Sequence, residues 1–431
     1  MRIHVIGLGY TGQTLAAVLA DVGYTVYGSD IDENVLRFLK EGKSHILEKN
    51  LSTLIRKHLN KSLFVSKPHE LKTNQINAHI VCVHTPVDKV TKKPDLEAVK
   101  SAFIEIRDIL KGGQLVILRS TVPVETTRNF VKPILEESGL KAGEDFYLVY
   151  APERTMQGAA LEELRTLPQI IGGVNEASVN EAIKIFRRVT PIINCVSSLE
   201  VAELIKLIDN SYRDLRFAYA QEIGNYCKEI GLNAFEMINA ANLGYPRNNI
   251  PVPSPGIGGV CLNKDPYILL DCTRQVDQNL RLVQTAREIN ESIPKQIADE
   301  LKSSLDLSGK KIFIVGFAFK GWPETNDLRE SPTLELLKHI NGNGARIVGY
   351  DPVVEDGKIR NLGVAYVSNI EDGLKDTDAV IFMTNHPSFK QLDINLFSKM
   401  KTKGIVFDGW NLFKKHDIES FGLYYKGVGV G

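Results

Sequence analysis

Hydrophobic and polar positions set out the first thirty residues as strand, tight turn, helix and strand. A short β-prone run, Arg2-Ile3-His4-Val5-Ile6, leads into Gly7-Leu8-Gly9-Tyr10-Thr11-Gly12, after which Leu15, Val18, Leu19 and Val22 recur at helical spacing. The run Thr25-Val26-Tyr27-Gly28-Ser29 then predicts a second strand, delivering Asp30. Further runs, Ile80-Val81-Cys82-Val83, Leu115-Val116-Ile117-Leu118 and Tyr147-Leu148-Val149-Tyr150, alternate with helical patterns and continue a parallel sheet. From Ser197 the pattern changes. Ser197 with Glu200 forms a capping box, no proline intervenes before Pro246, and Gly231 and Asn233 supply a stop, which predicts one helix from 198 to about 230. Such a helix is on the order of 50 Å long. A break at Gly224 into two helices fits the same residues. After the polar stretch 302–310, strands return at Ile312-Phe313-Ile314-Val315, Arg346-Ile347-Val348-Gly349-Tyr350, Ala379-Val380-Ile381-Phe382 and Ile405-Val406-Phe407, with a helix from Leu334 to Ile340.

The expected class is α/β, with two doubly wound, Rossmann-like parallel-sheet domains joined by a long central helix and an all-helical middle domain. Boundaries fall at 1–196, 197–301 and 302–431. The length agrees, since 431 residues at roughly 150 per domain suggest two or three. Ligands of open parallel sheets sit at strand C-termini, where the last domain places Lys320 and Asp351.

The first turn carries chemistry. Gly7 permits the turn, Gly9 lets a pyrophosphate approach the backbone, Gly12 permits close helix packing, and the helix N-terminus offers unpaired N–H groups. Asp30 stands where a carboxylate bonds an adenosine ribose, and it favours NAD over NADP because a 2′-phosphate would meet its charge. A plain βα turn is the alternative. Charge sharpens the point: 52 Lys and Arg balance 52 Asp and Glu, so no overall field attracts nucleic acid or an anionic membrane. Any anionic ligand must be held locally.

Five cysteines, Cys82, Cys195, Cys227, Cys261 and Cys272, form no C-x-x-C pair and no zinc spacing. With no metal site, no cleavable leader pattern and no apolar run of membrane length, a reduced, cytoplasmic protein is expected. One cysteine stands apart. In Gly256-Ile257-Gly258-Gly259-Val260-Cys261-Leu262-Asn263-Lys264-Asp265-Pro266, glycines allow close approach by a ligand, while Pro266 suits the first turn of a helix starting just after the thiol. A helix N-terminus and Lys264 would together favour the thiolate, the nucleophilic form of Cys261. A buried structural cysteine beside a glycine turn is the alternative; the other four, in apolar or helical contexts, read as structural. On the long helix, Lys206 and Asn210 share a face at i and i+4, facing either a site or simply solvent.

A resemblance now joins these pieces. GLGYTG, Ser120-Thr121-Val122-Pro123, Ala151-Pro152-Glu153-Arg154, Ala202-Glu203-Leu204-Ile205-Lys206 with Asn210, the GGVCLNKDP stretch, and Phe319-Lys320 followed by Leu328-Arg329-Glu330-Ser331-Pro332 resemble the nucleotide-sugar 6-dehydrogenases, in order and over nearly the whole chain. The resemblance implies an oxidoreductase that converts C6 of a UDP-sugar from alcohol to carboxylate by two hydride transfers to NAD, serving nucleotide-sugar metabolism and polysaccharide biosynthesis. It implies Cys261 as the nucleophile that carries thiohemiacetal and thioester, with Lys206 and Asn210 stabilising charge on oxygen. Asp265, Glu153 and Thr121 would order or deprotonate water. Gly7, Gly9, Tyr10, Thr11, Gly12, Asp30, Thr85, Pro86, Thr121 and Arg329 would hold NAD. Glu153, Arg154, Lys206, Asn210, Arg247, Asn249, Gly258, Gly259 and Lys320 would meet the substrate. A homodimer or higher homo-oligomer through the helical middle is implied, with Arg247 reaching substrate across its interface.

Ala151-Pro152-Glu153-Arg154, Tyr245-Pro246-Arg247-Asn248-Asn249-Ile250 and Cys261 followed by Asp265-Pro266-Tyr267 resemble the UDP-N-acetylhexosamine branch, especially the enzymes of UDP-N-acetylmannosamine. Lys264 is instead the residue type of the UDP-glucose branch, so UDP-glucose and UDP-N-acetylglucosamine stay as alternatives. Three positions depart from the family pattern: Gln157 replaces a second carboxylate, Trp410 a more usual arginine, and the 321–328 interval is longer. A β-hydroxyacid dehydrogenase, which needs no thiol, and a non-catalytic NAD sensor are the rival readings.

Overall fold

The structure, a computed structural model, describes residues 1–71, 75–274 and 276–431. The chain divides into two compact units, one of Met1–Asn210 with Tyr267–Asn279, the other of Ser211–Pro266 with Leu280–Gly431.

The first unit is built on an eight-stranded sheet: β1 (Arg2–Ile6), β2 (Thr25–Ser29), β3 (Leu63–Ser66), β4 (Ala78–Val81), β5 (Leu115–Leu118), β6 (Tyr147–Tyr150), β7 (Gln169–Gly173) and β8 (Ile193–Cys195). The spatial order is β3-β2-β1-β4-β5-β6-β7-β8. Apolar side chains on both faces explain why β4 and β5 are buried throughout, as helix-covered parallel strands require. One core gathers Ile3, Val5, Leu15, Leu19, Ile80 and Ile117; another gathers Ile6, Val81, Phe103, Val116, Leu118 and Val131. The sheet is not wholly parallel, because β7 runs antiparallel to β6. Cys195 lies exposed in the edge strand β8, which corrects its reading as a residue of an apolar or helical context. Cys82, Cys227 and Cys272 are shielded, and burial pushes the Cys82 thiol up to about 12.

His4 and His79 face each other across β1 and β4, with their Nδ1 atoms 3.2 Å apart. His4 Nε2 meets Ser29 Oγ at 2.8 Å. Burial, with the neighbouring ring adding to it for His4, lowers His4 to about 3 and His79 to about 4.

The long helix is one piece, Leu199–Glu229, and Gly224 does not break it. A Cβ at Gly224 would lie 2.8 Å from Pro253 Cγ, so glycine serves close packing there. The cap falls one residue later than expected: Ser198 Oγ accepts the Val201 N–H at 3.3 Å. Glu200 pairs with Arg128 instead of closing a capping box.

The second unit carries a six-stranded, all-parallel sheet of β9 (Lys311–Val315), β10 (Arg346–Tyr350), β11 (Ala365–Tyr366), β12 (Ala379–Phe382), β13 (Ile405–Asp408) and β14 (Tyr424–Gly427). Its order is β11-β10-β9-β12-β13-β14. Asp351, past the end of β10, accepts the N–H groups of Phe317, Ala318, Val353 and Val354, so its carboxylate shapes the strand-end loops. The cysteine-bearing helix is Val260–Arg274, with Pro266 inside it. This corrects the expectation of a helix starting just after the thiol: it starts one residue before Cys261, and Pro266 is its seventh residue, not part of its first turn.

Candidate active site

In the first unit the glycine turn has the shape its sequence predicts. Gly7 sits at φ +84°, a conformation L side chains rarely adopt, and a Cβ on Gly12 would fall 1.8 Å from Gly7 O. No atom lies within 4 Å of a Cβ built on Gly9. Gly9 caps helix Tyr10–Asp21 without a side-chain hydrogen bond, which leaves an open backbone cradle at a positive helix end. Tyr10 and Thr11 form its first turn. The cradle therefore fits the pyrophosphate of NAD. Asp30 accepts the N–H of Leu8 at 2.6 Å and of Asp32 at 2.8 Å, and a carboxylate has further lone pairs for ribose hydroxyls. Replacing Gly12 by Ala should weaken NAD binding by roughly ten- to a hundredfold while leaving the circular dichroism spectrum unchanged, as calorimetric titration would show.

Sequence reasoning missed Glu48. It accepts the Tyr10 hydroxyl at 2.5 Å and the N–H groups of Gly158 and Ala160, bracing the glycine turn against the 156–160 loop. Burial and then this carboxylate push the Tyr10 phenol up. Thr85 Oγ1 donates to Thr121 O at 2.7 Å, so these two predicted cofactor residues are joined, with Pro86 following Thr85.

Glu153 was expected, but its buried partner Arg119 was not. Arg119 Nη2 lies 2.8 Å from Glu153 Oε2, while Glu153 Oε1 accepts the N–H groups of Arg154 and Thr155 at 2.7 Å. Burial alone would raise the Glu153 carboxyl, but Arg119, the Thr155 N–H and Lys206 overcome it and hold the group below its ordinary value. Glu153 is thus kept ionised. A signal for Arg119 was present, as the one charge closing the apolar run Leu115-Val116-Ile117-Leu118 at the sheet's C-terminal edge. Arg154 pairs with Asp209 at 2.9 Å.

The long helix inverts the usual amphipathic pattern. Lys206 and Asn210 are only 7% and 4% exposed, whereas Leu204 and Ile208 are 38% and 47% exposed. Lys206 is therefore not on a solvated face. Glu203, Lys206, Asn210 and Asp214 form a buried polar stripe, spaced to share one face. Glu203 accepts the N–H of Glu125, and both the N–H and the hydroxyl of Thr127. It thereby secures the loop that follows Thr121.

In the second unit Cys261 is exposed, in the first turn of its helix. Gly258 and Gly259 press against Phe319, and Gly258 also against Pro332, where a Cβ would come within 3.0 Å. Arg329 lies within electrostatic reach of Cys261, and its guanidinium is anchored by Asp327 at 2.6 Å. Lys264 Nζ lies 2.7 Å from the buried Asp265, so its charge is engaged there. Lys320 Nζ stands 5.7 Å from the Phe319 ring centroid. Arg247 is exposed, stacked on Tyr245 and donating to its hydroxyl at 2.8 Å. The carbonyl of Asn249 accepts from Arg216. Trp410 Nε1 donates to Met383 O at 3.1 Å, so this departure from the family pattern is tied to the sheet end.

Among the described residues no cluster of His, Cys, Asp and Glu could hold a metal ion, and no helix is long and apolar enough to cross a membrane. Comparison with known proteins matches three domains of one family: its NAD binding domain over residues 1–190, its central domain over 200–292 and its UDP binding domain over 313–415. A UDP-N-acetyl-D-mannosamine dehydrogenase of Pyrococcus horikoshii is 33% identical over 438 residues, covering 100% of both chains. One from Escherichia coli is 31% identical, covering 91% of this chain and 95% of its own. A solved structure of the Pyrococcus horikoshii UDP-D-ManNAc dehydrogenase superposes with a TM-score of 0.89 at 34% identity, covering 100% of this chain and 99% of its own. A solved UDP-glucose dehydrogenase from Pyrobaculum islandicum also reaches 0.89, at 25% identity, with 100% and 98% covered. The glycine cradle and the full-length matches together establish an NAD-dependent dehydrogenase, and the chain belongs to the UDP-glucose/GDP-mannose dehydrogenase family.

Proposed function

We propose that the protein oxidises C6 of UDP-N-acetylmannosamine to the uronic acid, with Cys261 as the covalent carrier. The observation that carries this reading is the exposed thiol of Cys261 in the first turn of a glycine-led helix, in a chain whose full-length relatives are named UDP-N-acetyl-D-mannosamine dehydrogenases. NAD held at the glycine cradle would accept one hydride in each oxidation, a second NAD replacing the first NADH between the two steps. Lys206 and Asn210, buried and adjacent on one helix face, act as ammonium and amide donors that stabilise charge developing on the C6 oxygen. Cys261 adds to the aldehyde to give a thiohemiacetal; oxidation gives a thioester, which water cleaves to release the thiolate. Thr121 and Asp265 order that water. Glu153, kept ionised by Arg119, orients it, the first of the two roles the sequence allowed it.

In this reading the cofactor is held by Gly7, Gly9, Tyr10, Thr11, Gly12, Asp30, Thr85, Pro86, Thr121 and Arg329. Arg154, Arg247, Asn249, Gly258, Gly259 and Lys320 receive the nucleotide sugar. The layout is an NAD domain over 1–196, a helical middle over 197–301 and a UDP domain over 302–431. A reducing cytoplasm keeps the thiol free.

The exposed residues Leu204, Ile208, Tyr212, Tyr219 and Tyr226 lie along one helix and supply the homodimer face. Substituting Arg for both Ile208 and Tyr212 should convert a dimer to a monomer in light scattering. Lys264 favours UDP-glucose as the second reading. A panel of UDP-N-acetylmannosamine, UDP-N-acetylglucosamine, UDP-N-acetylgalactosamine and UDP-glucose with NAD, followed by NADH absorbance and product mass, decides the sugar. The highest kcat/KM on UDP-N-acetylmannosamine supports the proposal, and preference for UDP-glucose replaces it.

A further inference from the structure

The proline inside the cysteine helix leaves a gap that another residue fills. In an unbroken α-helix the N–H of residue 266 would bond the carbonyl of residue 262, but Pro266 has no N–H. Leu262 O, one residue after the thiol, is thereby deprived of its intrahelical donor. Arg287 Nη1 stands in that place, 2.9 Å from Leu262 O. Arg287 Nη2 lies 2.9 Å from Asn263 Oδ1, and Nη1 lies 2.7 Å from Asp214 Oδ1. Asn263 Nδ2 in turn donates to Glu330 O at 3.3 Å, and the same carbonyl accepts the Gly259 N–H at 3.2 Å. The residues flanking Cys261 on both sides are thus tied to one buried guanidinium and one carbonyl. Asp214, on the long helix, is fixed further by Asn290 Nδ2, at 2.9 Å from both its backbone and its side-chain oxygen.

We propose that Arg287 is a positioning residue for Cys261: its fork replaces the donor that Pro266 lacks and so sets the height of the thiol on its helix. Arg287 is 1% exposed. A purely stabilising ion pair with Asp214 would need only one charge, whereas three acceptors on two elements demand the rigid guanidinium. The inference rests on Cys261 being the nucleophile.

The test is Arg287→Lys, which keeps the charge beside Asp214 but not the fork. Expected results are a kcat lower by roughly ten- to a hundredfold with KM values for NAD and sugar nucleotide little changed, and faster amide exchange over residues 261–265. Adding Pro266→Ala restores an N–H for Leu262 O and should recover a large part of the lost kcat and slow that exchange again. If Arg287→Lys does not fold, the charge-free pair Asp214→Asn with Arg287→Met takes its place, with the same rescue expected. Wild-type kcat in the variant, or a loss that Pro266→Ala does not relieve, overturns the proposal. Amide exchange reads positioning without turnover, so an error about Arg287 is separable from an error about Cys261, which would show as turnover in Cys261→Ala.

Discussion

Cys261→Ala is expected to lower turnover by at least roughly four orders of magnitude while leaving the affinity for NAD unchanged. The reason is positional. The glycines proposed to cradle NAD, Gly7, Gly9 and Gly12, belong to the first unit and lie outside the turn that carries the thiol, whereas in the proposed mechanism the second oxidation runs through the carbonyl adduct of Cys261. Cys261→Ser is a sharper probe. A hydroxyl can add to the aldehyde, but the ester formed after oxidation has a far poorer leaving group than a thioester, so this variant should stall with product bound as an acyl-enzyme detectable by mass spectrometry. Turnover in Cys261→Ala within tenfold of wild type would exclude the thiol as carrier.

The second large effect concerns pH and arises in the interior of the first unit. His4 and His79 are held near 3 and 4, against an ordinary value of about 6.5, because burial penalises the charged rings. A lowered basic group contributes stability above its unfolded value and loses it as pH falls, here by about 4 kcal/mol for the pair between pH 7 and 5. Glu203 works in the opposite direction. Burial, against the donors from Thr127 and Glu125, raises it to about 7, so its contribution is full at low pH and disappears as pH rises through 7. Acidification from pH 7 to 5 therefore returns about 2 kcal/mol from Glu203, offsetting about half of the loss from the histidines. Urea unfolding of the wild type should show only a shallow loss over this range. Glu203→Gln should expose a steep loss on acidification, and substituting Asn for both His4 and His79 should reverse the slope. Equal slopes in wild type and Glu203→Gln would contradict the opposition of these buried groups.

Some of this was legible in the sequence and some was not, for physical reasons. The glycine turn could be read because each glycine acts locally: the positive φ at Gly7 and the contact of Gly12 with Gly7 O both arise within six residues. The long helix was legible because nothing in it forbids helix, and Gly224 proved to mark close packing against Pro253. The antiparallel entry of β7 was not, because a short apolar run carries no direction. Pro266 misled because proline suits a first turn, yet an arginine distant in sequence satisfies the carbonyl it orphans. Glu48, Arg119 and Arg287 were missed for the same reason: each works through partners far along the chain, and an isolated polar letter does not reveal what it will meet. Lys206 shows the limit from the other side, since an amphipathic pattern would place it in water, while the fold buries it and exposes Leu204 and Ile208.

The central claim, a four-electron oxidation through Cys261, predicts a definite stoichiometry. With limiting UDP-N-acetylmannosamine and excess NAD, absorbance at completion should correspond to two NADH per sugar, with the uronic acid as the sole product and no free aldehyde trapped by hydroxylamine. One NADH per sugar, with the aldehyde accumulating, would contradict it.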